Sequence, residues 1–150
     1  AHVIRGYLNR KEATAETIVD GWLRTGDMAR KDDDGFLYIV DRIKDMVLRG
    51  GENIFCAEVE SAIFNHEDVA ECTVFGVPDD RLGEEVGIAV FLKSDATANA
   101  DTLREHCASQ LAKFKVPRYF WFVEEALPRN ASGKFLKREL RDSLELKDAS

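Results

Sequence analysis

Apolar residues are spaced differently in the two parts of this chain, and the change comes near residue 55. Phe55, Val59, Ala62 and Ile63 fall at i, i+4, i+7 and i+8, a spacing that predicts a helix with one apolar face. The run 86–92 is continuously apolar, as expected of a strand that is buried on both faces. The later part of the chain is therefore predicted to combine helices with buried strands.

The other elements of this later part follow from similar patterns. Strands are predicted over 72–75, ending at Gly76 and Pro78, and over 119–123, while Asn99 can cap a helix. The apolar faces of the last two predicted helices carry Leu103, Cys107 and Leu111, and Leu136, Leu140 and Leu144. We expect an α+β domain in which a β-hairpin and a three-stranded sheet are packed by helices.

The first part of the chain predicts shorter elements. Residues 3–7 are typical of a strand fragment, and residues 10–19 of a short helix. The segment 31–35 is a polar turn between two extended stretches, and we interpret its aspartates as turn residues rather than metal ligands. Residues 46–48 form a short strand that is broken at Gly50-Gly51. Residues 1–41 lack the later pattern and look like the edge of another domain.

Composition narrows the class of protein. Hydrophobic residues make up 45% and charged residues 33%, which is typical of a soluble globular chain. The net charge of -7 gives no basic footprint for nucleic acid, so any phosphate chemistry must use locally placed cations. No apolar run approaches the ~18 residues of a membrane span, and the N-terminus shows no secretory leader pattern.

Cysteine and histidine usage indicates no metal site and no disulfide framework. Cys56, Cys72 and Cys107 are odd in number and far apart in the sequence. We expect buried free thiols and a reducing, cytoplasmic compartment. The histidines at positions 2, 66 and 106 have neither metal-ligand nor catalytic-triad spacing.

Two of three informative segments lie in the first part of the chain. In Thr25-Gly26-Asp27, the carboxylate can accept hydrogen bonds from the adjacent hydroxyls of a ribose, or it can cap its own turn. Arg42 offers a rigid fork of donors for a sugar or phosphate, or for a salt bridge to Asp41 or Asp45.

Glycines mark the two remaining candidate sites. Gly50-Gly51 is either a hairpin turn or a backbone surface that a slender ligand approaches closely. The third segment, 128–134, ends in Gly133-Lys134, but it lacks the glycine and the following Ser or Thr of a P-loop. Lys134 is then either an ammonium presented by a loop or a solvated lysine at a helix start. Lys137 and Arg138 are interpreted as solvated helix charges.

In this order the segments resemble the C-terminal part of adenylate-forming enzymes, which include acyl-CoA synthetases, luciferases and peptide-synthetase adenylation domains. The resemblance runs from Val3 to Arg138, and 22–27, 41–54 and 127–137 are similar to three core motifs of that family. The runs 51–54, 58–60 and 76–80 are most similar to ligases that join fatty or aryl acids to coenzyme A.

The resemblance implies a two-step reaction. ATP and a carboxylic acid form an acyl-adenylate with release of pyrophosphate, and the acyl group then passes to coenzyme A. It further implies that Asp27 binds the ribose hydroxyls, that Arg42 assists at the ribose or phosphate, and that Lys134 is catalytic in the first step. It assigns residues 1–43 to the end of a large N-terminal AMP-binding domain and residues 44–150 to a mobile C-terminal domain, with a hinge near Lys44.

The resemblance also places coenzyme A against the C-terminal domain. It puts pantetheine beside Gly50 and Gly51, phosphates beside Lys115 and Arg118, and adenine beside Leu82 and Phe114. The phosphate loop, the acyl pocket and the Mg²⁺-binding acid of such enzymes belong to the missing N-terminal domain, so we expect this chain alone to be inactive. The alternatives are an adenylation domain that loads a carrier protein, a luciferase-like oxidase, and an inert interaction module of the same fold.

Overall fold

The chain divides into two units, Ala1–Lys44 and Asp45–Ser150, and tight Asp-Gly turns shape the first of them. The structure is a computed structural model that describes residues 3–150, apart from the side chain of Lys147, so His2 lies outside it. The first unit contains one helix, α1, and two antiparallel hairpins, β1–β2 and β3–β4. Their bounds are Lys11–Thr17 for α1, and Ile18–Val19, Trp22–Leu23, Asp27–Lys31 and Leu37–Arg42 for β1 to β4.

The turn between β3 and β4 confirms that its first aspartate is a turn residue. Asp32 Oδ1 accepts the backbone N–H of Phe36 at 2.8 Å, and Asp32 Oδ2 accepts the hydroxyl of Tyr38 at 2.9 Å. The strand predicted over 3–7 is wrong, because these residues pair with no described strand. The N–H of Tyr7 is satisfied instead by the Thr14 hydroxyl at 2.9 Å, which ties this segment to α1.

The second unit contains the α+β arrangement that the sequence predicts. Its elements in chain order are β5 (Val47–Arg49), β6 (Glu52–Ile54), α2 (Cys56–Phe64), β7 (Val69–Asp79), β8 (Gly83–Leu92), α3 (Ala100–Ala108), β9 (Tyr119–Val123) and α4 (Lys137–Ser143). Short 3₁₀ turns cover Ile43–Asp45, Lys113–Lys115 and Leu146–Asp148. The Asn99 side chain accepts the N–H of Thr102 at 3.0 Å, which confirms the predicted cap of α3.

Strand β8 is the centre of the sheet. It pairs antiparallel with β7 along its whole length, parallel with β9, and with the β5–β6 hairpin through the single pair Arg49–Gly83. Because β7 occupies one edge of β8, the hairpin and β9 share the opposite edge. The predicted end of the second strand at Gly76 and Pro78 is wrong, since β7 continues to Asp79. Strand β7 lies at the edge of the sheet, where proline is tolerated because the N–H that it lacks is not needed to bond a further strand.

Both faces of the sheet are covered, as the continuous apolar run of β8 predicts. One face packs against α2 and α3 in a core that includes Val59, Ile88, Leu103 and Phe120. The other face holds a smaller cluster beside α4. That cluster consists of Phe75, Val77, Ala89, Trp121, Leu127 and Leu140. Among the described residues, no helix has the length and apolar character that crossing a membrane requires.

Candidate functional site

Lys134 closes a tight turn, residues 130–134, which we name the Lys134 loop. Asn130 Oδ1 accepts the N–H groups of Ser132 at 2.9 Å and Lys134 at 3.0 Å. The backbone of Asn130 also bonds that of Gly133 and Lys134, each at 2.9 Å. Gly133 has φ +79°, a conformation that strains any residue with a side chain. The turn fixes the backbone of Lys134 and leaves its side chain exposed to solvent.

Lys137 is not the solvated helix charge that the sequence predicts. Its side chain is only 24% exposed, and Nζ donates to Glu60 Oε1 at 2.7 Å and to the carbonyl of Val74 at 3.2 Å. Burial is the largest single effect and lowers the pKa of Lys137, but the charge and the hydrogen bond of Glu60, together with smaller contributions from neighbouring groups, raise it above its ordinary value. The prediction holds for Arg138, whose side chain is 88% exposed.

Asp27 and Arg42 come together across the β3–β4 hairpin. They are register partners in this antiparallel pair, and Arg42 Nε donates to Asp27 Oδ1 at 3.0 Å. Arg42 therefore pairs with the carboxylate of the candidate ribose site. Thr25 Oγ1 accepts the N–H of Asp27 at 3.1 Å and fixes the turn before it. The pair presents an acceptor and a donor fork side by side, with Arg42 59% exposed and Asp27 29% exposed.

Lys44 lies in the 3₁₀ turn Ile43–Asp45 and is exposed. It is the last residue of the first unit. The backbone N–H of Ile43 donates to the carbonyl of Gly26 at 2.9 Å, so the chain just before Lys44 is tied to the turn that carries Asp27.

Gly50 and Gly51 form the turn of the β5–β6 hairpin, with φ values of +58° and +90°. Such values suit a two-residue hairpin turn and favour glycine at both positions. The N–H of Gly50 donates to the carbonyl of Leu82 at 2.8 Å. A Cβ atom at Gly50 would lie 3.1 Å from Leu82 Cδ2, so the structure brings these two predicted coenzyme A contacts together.

The other predicted coenzyme A contacts lie in and after the 3₁₀ turn Lys113–Lys115. Phe114 packs against the main core. Lys115 Nζ lies 5.8 Å from the centre of the Phe114 ring and donates to both carboxylate oxygens of Glu58 at 2.7 Å. A phosphate that binds Lys115 must therefore compete with Glu58. Arg118 is 56% exposed, and its guanidinium lies 5.3 Å from the centre of the Tyr119 ring.

Arg118 also lines a cavity of about 780 Å³ in the second unit, which we name the basic cavity. Its other charged lining residues are Arg49, Arg81, Glu85, Arg104 and Lys113. The floor is apolar and includes Leu111, Val116 and Pro117. Five cations around one carboxylate give this cavity a net positive charge in a chain whose net charge is -7. It can hold a ligand that combines phosphate groups with a flat apolar part.

Glu85 organises the cations of the basic cavity. Its side chain is 2% exposed and accepts Arg49 Nε at 2.7 Å and Nη2 at 2.9 Å. Arg118 Nη1 lies 3.5 Å from Oε1 of the same carboxylate, the oxygen that also accepts Arg49 Nη2. The hydrogen bonding of Arg49 to the Glu85 carboxylate raises the pKa of Arg49. The buried carboxylate thus holds two guanidinium groups at the cavity wall.

Sequence reasoning missed most of the basic cavity and the role of Lys137. Arg49, Arg81, Arg104 and Lys113 come from four different segments, and no spacing along the chain marks them as one group. A signal for Lys137 did exist. Lys137 is the first residue of α4 and follows Lys134 by three residues, a position from which its side chain can contact the rest of the second unit.

The side chains of Cys56, Cys72 and Cys107 are buried, and none of the three forms a disulfide. Burial raises the pKa of Cys72 and of Cys107 to about 12, so neither thiol is a nucleophile near neutral pH. Within residues 3–150, no group of three or more His, Cys, Asp or Glu side chains is arranged to hold a metal ion.

Comparison with known proteins identifies the family. The family model for the AMP-binding enzyme C-terminal domain matches residues 58–134, which is just over half of the chain and ends at Lys134. The chain belongs to this family. The resemblance to adenylate-forming enzymes that the sequence indicates is thereby confirmed, as is the α+β fold of their C-terminal domains.

Relatives of this AMP-binding enzyme C-terminal domain include named ligases. A 2-succinylbenzoate–CoA ligase of Bacillus cereus is 48% identical over 144 residues, which are 96% of this chain and 29% of that protein. The o-succinylbenzoate CoA synthetase of Bacillus subtilis, solved with its acyl-adenylate intermediate, is 40% identical with a TM-score of 0.86, over 95% of this chain and 29% of that one. A Mycobacterium tuberculosis fatty acyl CoA synthetase is 43% identical with a TM-score of 0.68, over 92% of this chain and 27% of that one.

The chain thus spans about 29% of the length of the curated relatives that it matches. These relatives are ligases of carboxylic acids and coenzyme A, which agrees with the class that the motifs indicate.

Proposed function

We propose that this chain is the C-terminal part of an acid–CoA ligase that forms AMP. In the first step a carboxylate oxygen attacks the α-phosphorus of ATP, and pyrophosphate leaves. In the second step the sulfur of coenzyme A attacks the acyl carbon, loses its proton, and AMP leaves. The observation that carries this proposal is the family match through Lys134, combined with the exposure of that lysine on a preformed turn.

Lys134 is the proposed catalytic residue of the first step. Attack at the α-phosphate concentrates negative charge on the phosphate and acyl oxygens, and an ammonium about 4 Å away stabilises it by roughly 4 kcal/mol at an effective dielectric of about 20. The fixed backbone of the Lys134 loop limits where Nζ can go, which reduces the reorganisation needed in the transition state.

Asp27 and Arg42 are the proposed nucleotide-binding residues of the first unit. The carboxylate of Asp27 can accept the ribose hydroxyls, because Arg42 Nε donates to Oδ1 and the carboxylate has a second oxygen, Oδ2. Arg42 holds that carboxylate in place and offers its remaining donors to the ribose or the α-phosphate. Lys44 is the proposed hinge, because it is exposed and stands where the two units meet in the sequence.

Coenzyme A is proposed to bind the second unit in the second step. Gly50 and Gly51 present backbone without side chains to the narrow pantetheine arm, and Leu82 lies beside them. The basic cavity, which includes Arg118, provides the cations for the coenzyme A phosphates. Phe114 supplies an aromatic face next to Lys115 for the adenine.

The first unit is proposed to be the end, residues 1–43, of a large N-terminal domain that binds the acid and ATP. Large apolar side chains of β4 and its turn are exposed in this chain, with Phe36 65%, Leu37 70% and Ile39 68% exposed. A preceding domain would cover them. We assign Mg²⁺ to the preceding domain, as the resemblance implies, and the described residues contain no group of three or more His, Cys, Asp or Glu side chains arranged to hold a metal ion. The three buried cysteines, which form no disulfide, fit a cytoplasmic location.

Half-reaction assays on the full-length protein test this function. The protein is supplied with ATP and a panel of acids that includes 2-succinylbenzoate and fatty acids of several lengths, and pyrophosphate release and acyl-CoA are measured. We expect Lys134→Ala to slow acyl-adenylate formation about 10²–10³-fold, because one preorganised donor is lost. Thioester formation from preformed acyl-adenylate is expected to change little.

Lys31→Ala is the matched control, since Lys31 is exposed in the β3–β4 hairpin. It should leave both half-reactions unchanged. Equal loss of both steps in Lys134→Ala would contradict its assignment to the first step. Transfer of the acyl group to a carrier protein but not to free coenzyme A would contradict the acceptor and favour a carrier-loading adenylation domain.

A further inference from the structure

The Lys134 loop is tied to strand β7 at its entry. Arg129 Nη2 donates to Glu71 Oε1 at 2.9 Å, and Arg129 Nη1 donates to the carbonyl of Gly133 at 2.9 Å. One guanidinium therefore joins the strand to the loop. The guanidinium also lies 4.0 Å from the centre of the Phe135 ring, directly after Lys134. Glu71 is further fixed because its Oε2 accepts the N–H of Leu127 at 2.8 Å.

The exit of the loop is tied to the same strand through Lys137. Glu60 Oε1, on α2, accepts Lys137 Nζ at 2.7 Å, the N–H of Val74 at 2.8 Å and the hydroxyl of Thr73 at 3.1 Å. Lys137 Nζ also reaches the carbonyl of Val74. The first residue of α4 is thereby attached to both α2 and β7.

The exit tie is the more sheltered of the two. Lys137 and Glu60 are 24% and 25% exposed, whereas Arg129 is 43% exposed. An exposed ion pair contributes little, but removing one partner of a sheltered, multiply bonded pair leaves the other charge without its counterion. The sheltered pair is therefore the one whose loss should move the loop.

We propose that Lys137 and Glu60 are positioning residues that hold the Lys134 loop in its productive place, with Arg129 and Glu71 as the second attachment. The inference rests on the proposed role of Lys134 in acyl-adenylate formation. With both ends of the loop held against β7, the freedom that remains belongs mainly to the Lys134 side chain. Misplacing a reacting group by about 1 Å can cost as much as 10²-fold in rate.

Lys137→Met in the full-length enzyme tests the inference, because methionine keeps an unbranched apolar stem and removes the charge. We expect kcat for acyl-adenylate formation to fall about tenfold, with little change in KM for ATP. Thioester formation from preformed acyl-adenylate should stay within about twofold of the parent, since Lys134 takes no part in that step. Lys137→Arg should recover most of the loss.

Amide hydrogen exchange gives a readout that does not depend on activity. The N–H groups of Ser132, Gly133 and Lys134 are bonded within the loop and should exchange faster in Lys137→Met. Arg138→Met is the control, because Arg138 follows Lys137 directly but its own side chain is 88% exposed. This variant should change neither the exchange nor the kinetics. Unchanged loop exchange in Lys137→Met would overturn the inference, and so would an equal loss of both half-reactions.

A second variant covers the case in which Lys137→Met fails to fold. Glu60→Gln keeps an acceptor for Thr73 and Val74 while it removes the charge that faces Lys137, and the same kinetic split and faster exchange are expected. Lys134→Ala separates the two proposals. Normal acyl-adenylate formation in Lys134→Ala would refute the proposed function. Unchanged exchange in Lys137→Met, or in Glu60→Gln if Lys137→Met does not fold, would refute the positioning role.

Discussion

Lys134 and Lys137 show how far residue type and position in the sequence can mislead. They are three residues apart, and the sequence suggests similar solvent exposure for both. In the structure Lys134 is exposed, whereas Lys137 is half-buried against Glu60 and Val74. The sequence predicts Lys134 as the catalytic ammonium, and that role stays a prediction, although the side chain is exposed. The role of Lys137 depends on Glu60, which is 77 residues away along the chain.

Amine labelling should distinguish these two lysines. With limiting acetic anhydride at pH 8, we expect Lys134 to be acetylated several times faster than Lys137, because Lys137 is sheltered and its raised pKa leaves less free amine. Peptide mass spectrometry of both sites measures the ratio. Glu60→Gln should speed labelling of Lys137 and leave that of Lys134 unchanged. Equal rates in the parent protein would show that Lys137 is not held as the structure describes.

At the scale of elements, periodicity predicted most of the second unit. The helix after Phe55, the strand 119–123 and the capped helix after Asn99 are confirmed. Strand ends were less predictable, because β7 runs through Gly76 and Pro78 to Asp79. Gly76 and Pro78 do not end β7, because residues of β8 continue to pair with this strand as far as Asp79.

Glu71 joins β7 to the segment before the Lys134 loop, and its effect on stability should depend on pH. Burial acts to raise the pKa of Glu71, but hydrogen bonds from Arg129 and from the Leu127 N–H hold it below its ordinary value. The carboxylate therefore stabilises the fold above its unfolded-state pKa of about 4.3, and this contribution is lost as the pH falls through the lower folded-state pKa.

Glu71→Gln should lower the free energy of unfolding by about 1 kcal/mol at pH 7, a modest figure because Arg129 is partly exposed. The difference from the parent should shrink towards zero as the pH falls through the lowered folded-state pKa of Glu71. Urea unfolding at a series of pH values measures it. Glu125→Gln, at an exposed position two residues before Leu127, serves as the control. A difference that grows as the pH falls would contradict the assigned direction.

At the scale of the whole molecule, the charge distribution is the informative property. A net charge of -7 argues against general binding of polyanions, yet five cations surround the basic cavity. They come from β5, the β7–β8 turn, α3 and the segment before β9. Only the packing of these elements concentrates the cations, so the local sign of charge opposes that of the chain as a whole.

Binding of adenosine 3′,5′-bisphosphate, the nucleotide part of coenzyme A, tests the basic cavity. We expect Arg118→Ala and Arg81→Ala each to raise Kd about tenfold in the full-length protein, because each loses a charged donor to phosphate. Affinity should weaken as salt is added. Arg141→Ala lies outside the cavity and serves as the control. Calorimetric titration measures Kd, and no change in either cavity variant would remove the cavity from the proposed coenzyme A site.

The sequence by itself determined the family, the α+β class and the candidate site residues, because these depend on motifs and periodicities that are local in the chain. Lys134 at a glycine-containing turn and the Gly50-Gly51 hairpin could be located in this way. The tertiary structure decided which charges meet. Asp27 pairs with Arg42, Lys137 with Glu60, and Arg49 with Glu85, over separations of 15 to 77 residues. The partners of such pairs come from separate strands and helices, so they meet only when those elements pack together. No spacing along the sequence encodes these pairs.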